Sequence, residues 1–205
     1  MTRVKMCGIT RPQDGVAAAL AGADAIGLVF YAASPRHVDL EQAERIVAAL
    51  PPFVTTVALF VNPQPDAVRS VLRRVRPDVL QFHGEETAEF CRGFDTPYLK
   101  AARVRADSDL LQFAACYADA QGFLLDAWSV AGHGGTGERF DWNLIPESLP
   151  KPLILAGGLT AGNVRLAIDT VHPWAVDVSS GIEVSKGIKD ATLIAAFMKE
   201  VKNAV

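Results

Sequence analysis

The chain has 205 residues, half of them hydrophobic, with 23 acidic against 20 basic side chains and a formal net charge of −3. That length suits one domain, 1–205, with a substantial core, and the charge balance offers no basic stripe for nucleic acid. The opening MTRVKMCGITRPQD holds no apolar leader and no run reaches membrane-span length, so the expected setting is the cytoplasm.

Eight short apolar or β-branched runs read as strands: Val4–Met6, Ala25–Phe30, Thr55–Val61, Val79–Phe82, Tyr98–Ala101, Gly122–Leu125, Leu153–Leu155 and Ala175–Val178. Most are continuous rather than alternating, the pattern of parallel strands covered on both faces. Helical stripes separate them: Val16, Ala19, Leu20 and Ala23; Ala43, Ile46, Val47 and Leu50; Val68, Val71, Leu72 and Val75; Val164, Ala167, Ile168 and Val171; and finally Ile194, Phe197, Met198 and Val201. The helices after strands four to six are less clear. Pro12 suits a first helical turn, and Asp39 precedes a helix with Gln42 at the capping-box position. Arg69, Arg73, Arg74 and Arg76 fall late in a helix, where cations complement its dipole on a solvated face.

Strict alternation of strand and helix implies a parallel sheet with right-handed crossovers. Eight units at this spacing favour a compact (β/α)₈ TIM barrel in the α/β class, with an open doubly wound sheet as the alternative. In such a barrel the active site is built from the loops at the C-terminal strand ends. Gly157-Gly158 after strand seven and Ser180-Gly181 after strand eight fall where this fold recurrently binds phosphate through backbone N–H groups. Cys7 and Asp126 end strands one and six and can face each other across the mouth.

A thiol of ordinary pKa needs local positive potential to act as a base, which Arg36 or a cationic substrate could supply. An apolar strand favours the protonated form of a carboxyl such as Asp126, as a general acid requires. On residue type and place alone, Cys7 stays open between a base and a buried structural thiol. Arg36, after the rigid Ser34-Pro35, suits bidentate capture of a carboxylate. His83 reads as a polar wall of the pocket. Cys91 and Cys116 read as small apolar fillers, and three cysteines without CxxC spacing read as reduced thiols with no metal site. The stretch His133-Gly134-Gly135-Thr136-Gly137 lacks a Walker lysine and reads as a lid or extended loop.

At these residues the sequence resembles the phosphoribosylanthranilate isomerases of tryptophan biosynthesis. The likeness runs through Lys5–Thr10, GLVFYAASPRHV, Gln81–Gly84, Asp126, Gly134–Gly137 with Phe140-Asp141-Trp142, Leu155–Leu159, Val176–Gly181 and Lys186–Asp190. Gly162 departs from it, where a glutamate is expected, in what reads as the first turn of a helix. The resemblance implies a (β/α)₈ barrel and an Amadori rearrangement of N-(5-phosphoribosyl)anthranilate. In it Asp126 would be the acid and Cys7 the thiolate base. Arg36 would hold the anthranilate carboxylate, and the glycine loops the phosphate. It implies no cofactor or metal, a small phosphosugar as partner, and a monomer or homodimer without nucleic acid or membrane. Three alternatives are less well matched. A two-aspartate aminoaldose isomerase is disfavoured by the cysteine. An indole-glycerol-phosphate type lyase needs a barrel lysine that neither Lys5 nor Lys100 matches. A non-catalytic phosphate-binding domain is disfavoured by an intact Cys7/Asp126 pair.

Overall fold

A computed structural model describes residues 1–127 and 141–204. Its strands are β1 (Arg3–Cys7), β2 (Ala25–Val29), β3 (Thr55–Phe60), β4 (Val79–Phe82), β5 (Tyr98–Val104), β6 (Gly122–Ala127), β7 (Leu153–Leu155) and β8 (Ala175–Val178). They pair in parallel, each with the next, and β8 returns to β1 with Lys5 opposite Asp177, closing the barrel. All eight expected strands are present, and closure excludes the open-sheet alternative.

The helices are α1 (Pro12–Ala21), α2 (Leu40–Ala49), α3 (Pro65–Arg74), α4 (Ala88–Arg92), α5 (Leu110–Cys116), α6 (Val164–Val171) and α7 (Ala191–Asn203). The weak signals after strands four to six have a physical counterpart. There α4 and α5 are only 5 and 7 residues long, and after β6 the described residues form a 3₁₀ turn at Trp142–Leu144. Pro12 begins α1, and the Asp39 carboxylate caps α2 by accepting from Gln42 N. The box is not reciprocal, because the Gln42 side-chain amide donates to Thr10 O.

One helix face differs from expectation. In α1 the buried residues are Asp14, Gly15 and Ala18, while Leu20 is 79% exposed. Gly15 lets Ile46 of α2 and Leu50 just after it close in, and the Asp14 carboxylate is occupied by Arg11 and by Lys189 N. Packing and that polar network turned the helix away from its simple apolar stripe. Gly162 also lies in the turn before α6, not in the helix. Its neighbour Asn163 ties the turn together by accepting from Thr160 N and donating to Gly158 O.

Alternate side chains point to opposite faces of each strand. In β1, Val4 and Met6 join the core beneath the helices, while Lys5 and Cys7 point inward. The barrel interior is an apolar layer of Leu99, Ala101, Leu124, Ile154, Ala156 and Ala175, with polar groups above it. Outside the barrel, Phe60 stacks on Phe82 at 6.1 Å, and Phe82 meets Phe90 edge-on at 5.8 Å. Aromatic pairs of this kind contribute about 0.5–1.5 kcal/mol each beyond their buried area, and these anchor α4 to the sheet.

Candidate active site

Cys7 is the last residue of β1, and its thiol opens onto the C-terminal mouth of the barrel. The chain turns at once through Gly8, whose φ of +72° favours glycine, and Gly8 N and Ile9 N both donate to Gly27 O. Gly27 faces the same space from β2. A Cβ there would stand 2.7 Å from Cys7 Sγ and 3.2 Å from Lys5 Cε.

Asp126 projects inward from β6 and is 5% exposed. Cys7, Tyr31, Arg36, His83, Asp126 and Asp177 line one narrow cleft over Val29, Leu59 and Val61. The two candidate reacting groups are thus brought together, as expected. Roomier hollows, of about 340, 600, 560 and 210 Å³, lie beside α5, at the opposite end near Trp174, between α2 and α3, and beneath the barrel by Trp174. None contains Cys7 or Asp126, so chemistry rather than size selects the mouth.

His83 is buried in the wall, as expected, and its Nδ1 lies 3.2 Å from Gln81 Nε2. Its Nε2 stands 3.3 Å from Asp126 Oδ2, close enough for charge interaction but without hydrogen-bond alignment.

Arg36 is placed differently from the expectation of a free carboxylate clamp. Its Nε and Nη2 form a bidentate pair with Glu183, both contacts 2.8 Å, and the pair is almost fully buried. Glu183 comes from a hairpin after β8, in which β9 (Glu183–Ser185) pairs with β10 (Ile188–Lys189). The same hairpin brings Lys189 Nζ to 2.7 Å from Glu183 Oε1. Burial works to raise the Glu183 carboxyl, but Arg36 and Lys189 outweigh it and hold the group below the usual glutamate range. Among the described residues the Arg36 Nη1 edge makes no hydrogen bond.

Burial pushes the Cys7 thiol above its ordinary pKa, opposed by the nearby ammonium groups of Lys5 and Lys189. The expected source of positive potential was Arg36 or the substrate. Two buried lysines add to that potential, and Arg36, although its fork is turned to Glu183, also interacts with the thiol. Lys5 Nζ lies 2.7 Å from Asp177 Oδ1. Burial alone would lower Lys5; Asp177 and Cys7 outweigh it and hold the ammonium above the ordinary lysine range. Lys100 points the other way, out of the barrel, and pairs with Glu86 at 2.9 Å between sheet and helices.

Across the mouth, Gly157 and Gly158 take φ of +91° and +60°. Ser180 and Gly181 lie in a 3₁₀ turn over Ser180–Ile182. A Cβ on Gly181 would sit 2.0 Å from Leu159 O, so only glycine lets these two loops touch. The amides of Gly157, Gly158, Ser180 and Gly181 donate to no acceptor among the described residues. Free backbone N–H groups in glycine turns of this kind suit an anion.

Cys91 is buried as expected, but Cys116, at the end of α5, is exposed and fills nothing. The arginines Arg69 and Arg74 lie on the solvated side of α3, paired with Asp66 and Glu44. The stretch 133–137 lies outside the described residues. Among those described, no cluster of metal-ligating groups occurs and no helix is long and apolar enough to cross a membrane.

Lys5, Gly27, Asp177, Glu183 and Lys189 were given no role in the site from the sequence. Lys5 had a readable signal, lying two residues before Cys7 on the same strand face. Glu183 and Lys189 reach the site only through the hairpin turn at Lys186-Gly187.

A closed (β/α)₈ barrel with a buried thiol and carboxylate facing one mouth, beside two glycine-built amide clusters, defines a barrel enzyme of acid–base type. Residues 4–200 match the family model described as N-(5'phosphoribosyl)anthranilate (PRA) isomerase. The N-(5'-phosphoribosyl)anthranilate isomerase of Pseudomonas putida (strain W619) is 58% identical over 98% of each chain. A crystal structure of phosphoribosyl anthranilate isomerase in complex with reduced 1-(o-carboxyphenylamino)-1-deoxyribulose 5-phosphate is 41% identical. It has a TM-score of 0.88 over 99% of this chain and 100% of that one. The Thermotoga maritima enzyme structure is 42% identical, with a TM-score of 0.89 over the same shares. This chain belongs to the N-(5'-phosphoribosyl)anthranilate isomerase family and is an isomerase.

Proposed function

We propose that the chain converts N-(5-phosphoribosyl)anthranilate to 1-(2-carboxyphenylamino)-1-deoxyribulose 5-phosphate at this mouth, with Asp126 as acid and Cys7 as base. The observation that carries the assignment is the shared cleft: a thiol on β1 and a carboxyl on β6, both buried, with Arg36 and His83 on its walls. Family membership supports the substrate, and the neighbour's complex with a reduced deoxyribulose phosphate supports the kind of ligand.

The sequence of steps balances without a cofactor. Asp126 gives a proton to the ribose ring oxygen, and the anthranilate nitrogen's lone pair expels that oxygen to form a protonated Schiff base. The Cys7 thiolate takes the C2 proton, and those electrons neutralise the nitrogen, giving an enolamine. Reprotonation at C1 as the enol closes to a carbonyl yields the aminoketone. The cationic nitrogen acidifies C2–H, so a moderately basic thiolate is enough.

The free amides of Gly157, Gly158, Ser180 and Gly181 take the 5-phosphate, which suits their geometry better than any side chain nearby. The open Nη1 edge of Arg36 takes the anthranilate carboxylate, while Glu183 fixes the opposite edge of the guanidinium. His83, held by Gln81, sets the wall beside Asp126. Free thiols at Cys7, Cys91 and Cys116 fit a reducing cytoplasm.

Steady-state turnover of Cys7→Ala and Asp126→Asn tests the assignment. Each should lose at least about 10²-fold in kcat, the usual scale of a general acid–base contribution, with circular dichroism unchanged. Near-normal turnover in either folded variant rejects its role.

A further inference from the structure

The least explained part of the site is how a buried thiol becomes a thiolate. Cys7 is 6% exposed, and burial by itself favours the neutral form. Several charged groups surround it. Asp126 and His83 face it from β6 and the end of β4, Asp177 from β8, and Arg36 from the loop after β2. Glu183 and Lys189 belong to the hairpin behind Arg36.

Three cations are therefore within range, and they are differently committed. The Arg36 fork is bidentate on Glu183. Lys189 is held by Glu183, Ser179 O and Ser179 Oγ, and burial pushes its ammonium below the ordinary lysine range. Lys5 stands apart: its ammonium donates to Asp177 at 2.7 Å and otherwise faces the Cys7 sulfur. Lys5 and Cys7 are two residues apart on one strand face, and both side chains converge on the space left by Gly27. Asp177 sits opposite Lys5 in the β1–β8 register, so closure of the barrel itself fixes the ammonium there.

We propose that Lys5 is a positioning residue for the reaction, its ammonium, fixed by Asp177, stabilising the thiolate form of Cys7 that takes the C2 proton. The role rests on the assignment of Cys7 as base. It explains why an ion pair is buried inside a barrel whose lower layer is otherwise apolar. A methionine pair of similar volume would pack there with less desolvation. Lys5 touches no substrate atom; it acts only through the sulfur.

The test is the pH dependence of Cys7 alkylation by iodoacetamide in the full-length protein, read by mass spectrometry of the Cys7 peptide. A Cys116→Ser background removes the exposed thiol. Lys5→Met should shift the alkylation profile at least about one pH unit upward, a tenfold loss of thiolate at neutral pH. Its kcat/KM at neutral pH should fall about tenfold and recover as pH rises, and Lys5→Arg should restore most of the shift. If Lys5→Met is poorly folded, Lys5→Met/Asp177→Leu removes both buried charges together and should still shift the profile upward. An unchanged alkylation profile in a folded variant overturns the proposal, as does an activity loss that is equal at every pH. Cys7→Ala keeps the two ideas separate. If it stays active, the assignment of the base fails; if it is inactive and Lys5→Met leaves the profile unmoved, only the role of Lys5 fails.

Discussion

Gly27→Ala isolates the placement of the thiol from every other feature of the site. Gly27 does not have a positive φ, so alanine meets no backbone strain there; only space is at issue. The new methyl would lie 2.7 Å from Cys7 Sγ and 3.2 Å from both Cys7 Cα and Lys5 Cε. Carbon contacts settle near about 3.5–4.0 Å, so the sulfur must move by roughly 1 Å or swing to another rotamer. Overpacking of this size costs about 1–3 kcal/mol. At about 2–4 °C per kcal/mol for a chain of this size, the melting temperature should fall by roughly 2–12 °C. A 1 Å misplacement of a reacting group costs on the order of 10²-fold in rate, so kcat should fall far more than stability explains. Thermal unfolding by circular dichroism and steady-state kinetics measure the two effects separately. A variant with lowered melting temperature but unchanged kcat would refute the argument that the position of Cys7 controls the reaction.

Arg36→Ala should raise KM by about 10–100-fold, the worth of a charge-assisted hydrogen bond, with a smaller change in kcat; an unchanged KM rejects the carboxylate role. Lys100→Met breaks a buried ion pair outside the barrel, so about 3–5 kcal/mol of stability should be lost while kcat stays within about twofold, as denaturant unfolding and kinetics will show. A large kcat loss there would mean that the outward face takes part in the chemistry. Alkaline pH should destabilise the fold. Burial raises Cys91 and Tyr117 to about 12, so the unfolded chain releases these protons first. Stability from these two groups is present below about pH 8.5, the ordinary thiol value, and is lost progressively up to pH 12. Melting temperatures taken across that window should decline, and Cys91→Ala should flatten the early part of the decline.

The barrel was readable because its signals are repetitive. Each of the eight strands is a run such as Leu153–Leu155 or Ala175–Val178, buried on both faces, and no tertiary detail is needed to see it. Cys7, Asp126, Gly157 and Gly181 were readable for a related reason: barrel topology places strand ends at one mouth. The α1 face was misjudged because Asp14 is buried through partners 175 residues away, which periodicity cannot show. The engagement of Arg36 was hidden likewise, since Glu183 reaches it only after a hairpin folds back across 147 residues of sequence. Gly27 and Lys5 were visible as residues but not as neighbours of the thiol, because register between β1 and β2 decides that contact.

Whether this mouth isomerises phosphoribosylanthranilate can be read from the fluorescence of that compound on adding the purified protein. The signal should fall rapidly as 1-(2-carboxyphenylamino)-1-deoxyribulose 5-phosphate accumulates, with no enzymatic loss with Cys7→Ala. An unchanged fluorescence with the intact protein, or an equal decay with Cys7→Ala, would contradict the assignment.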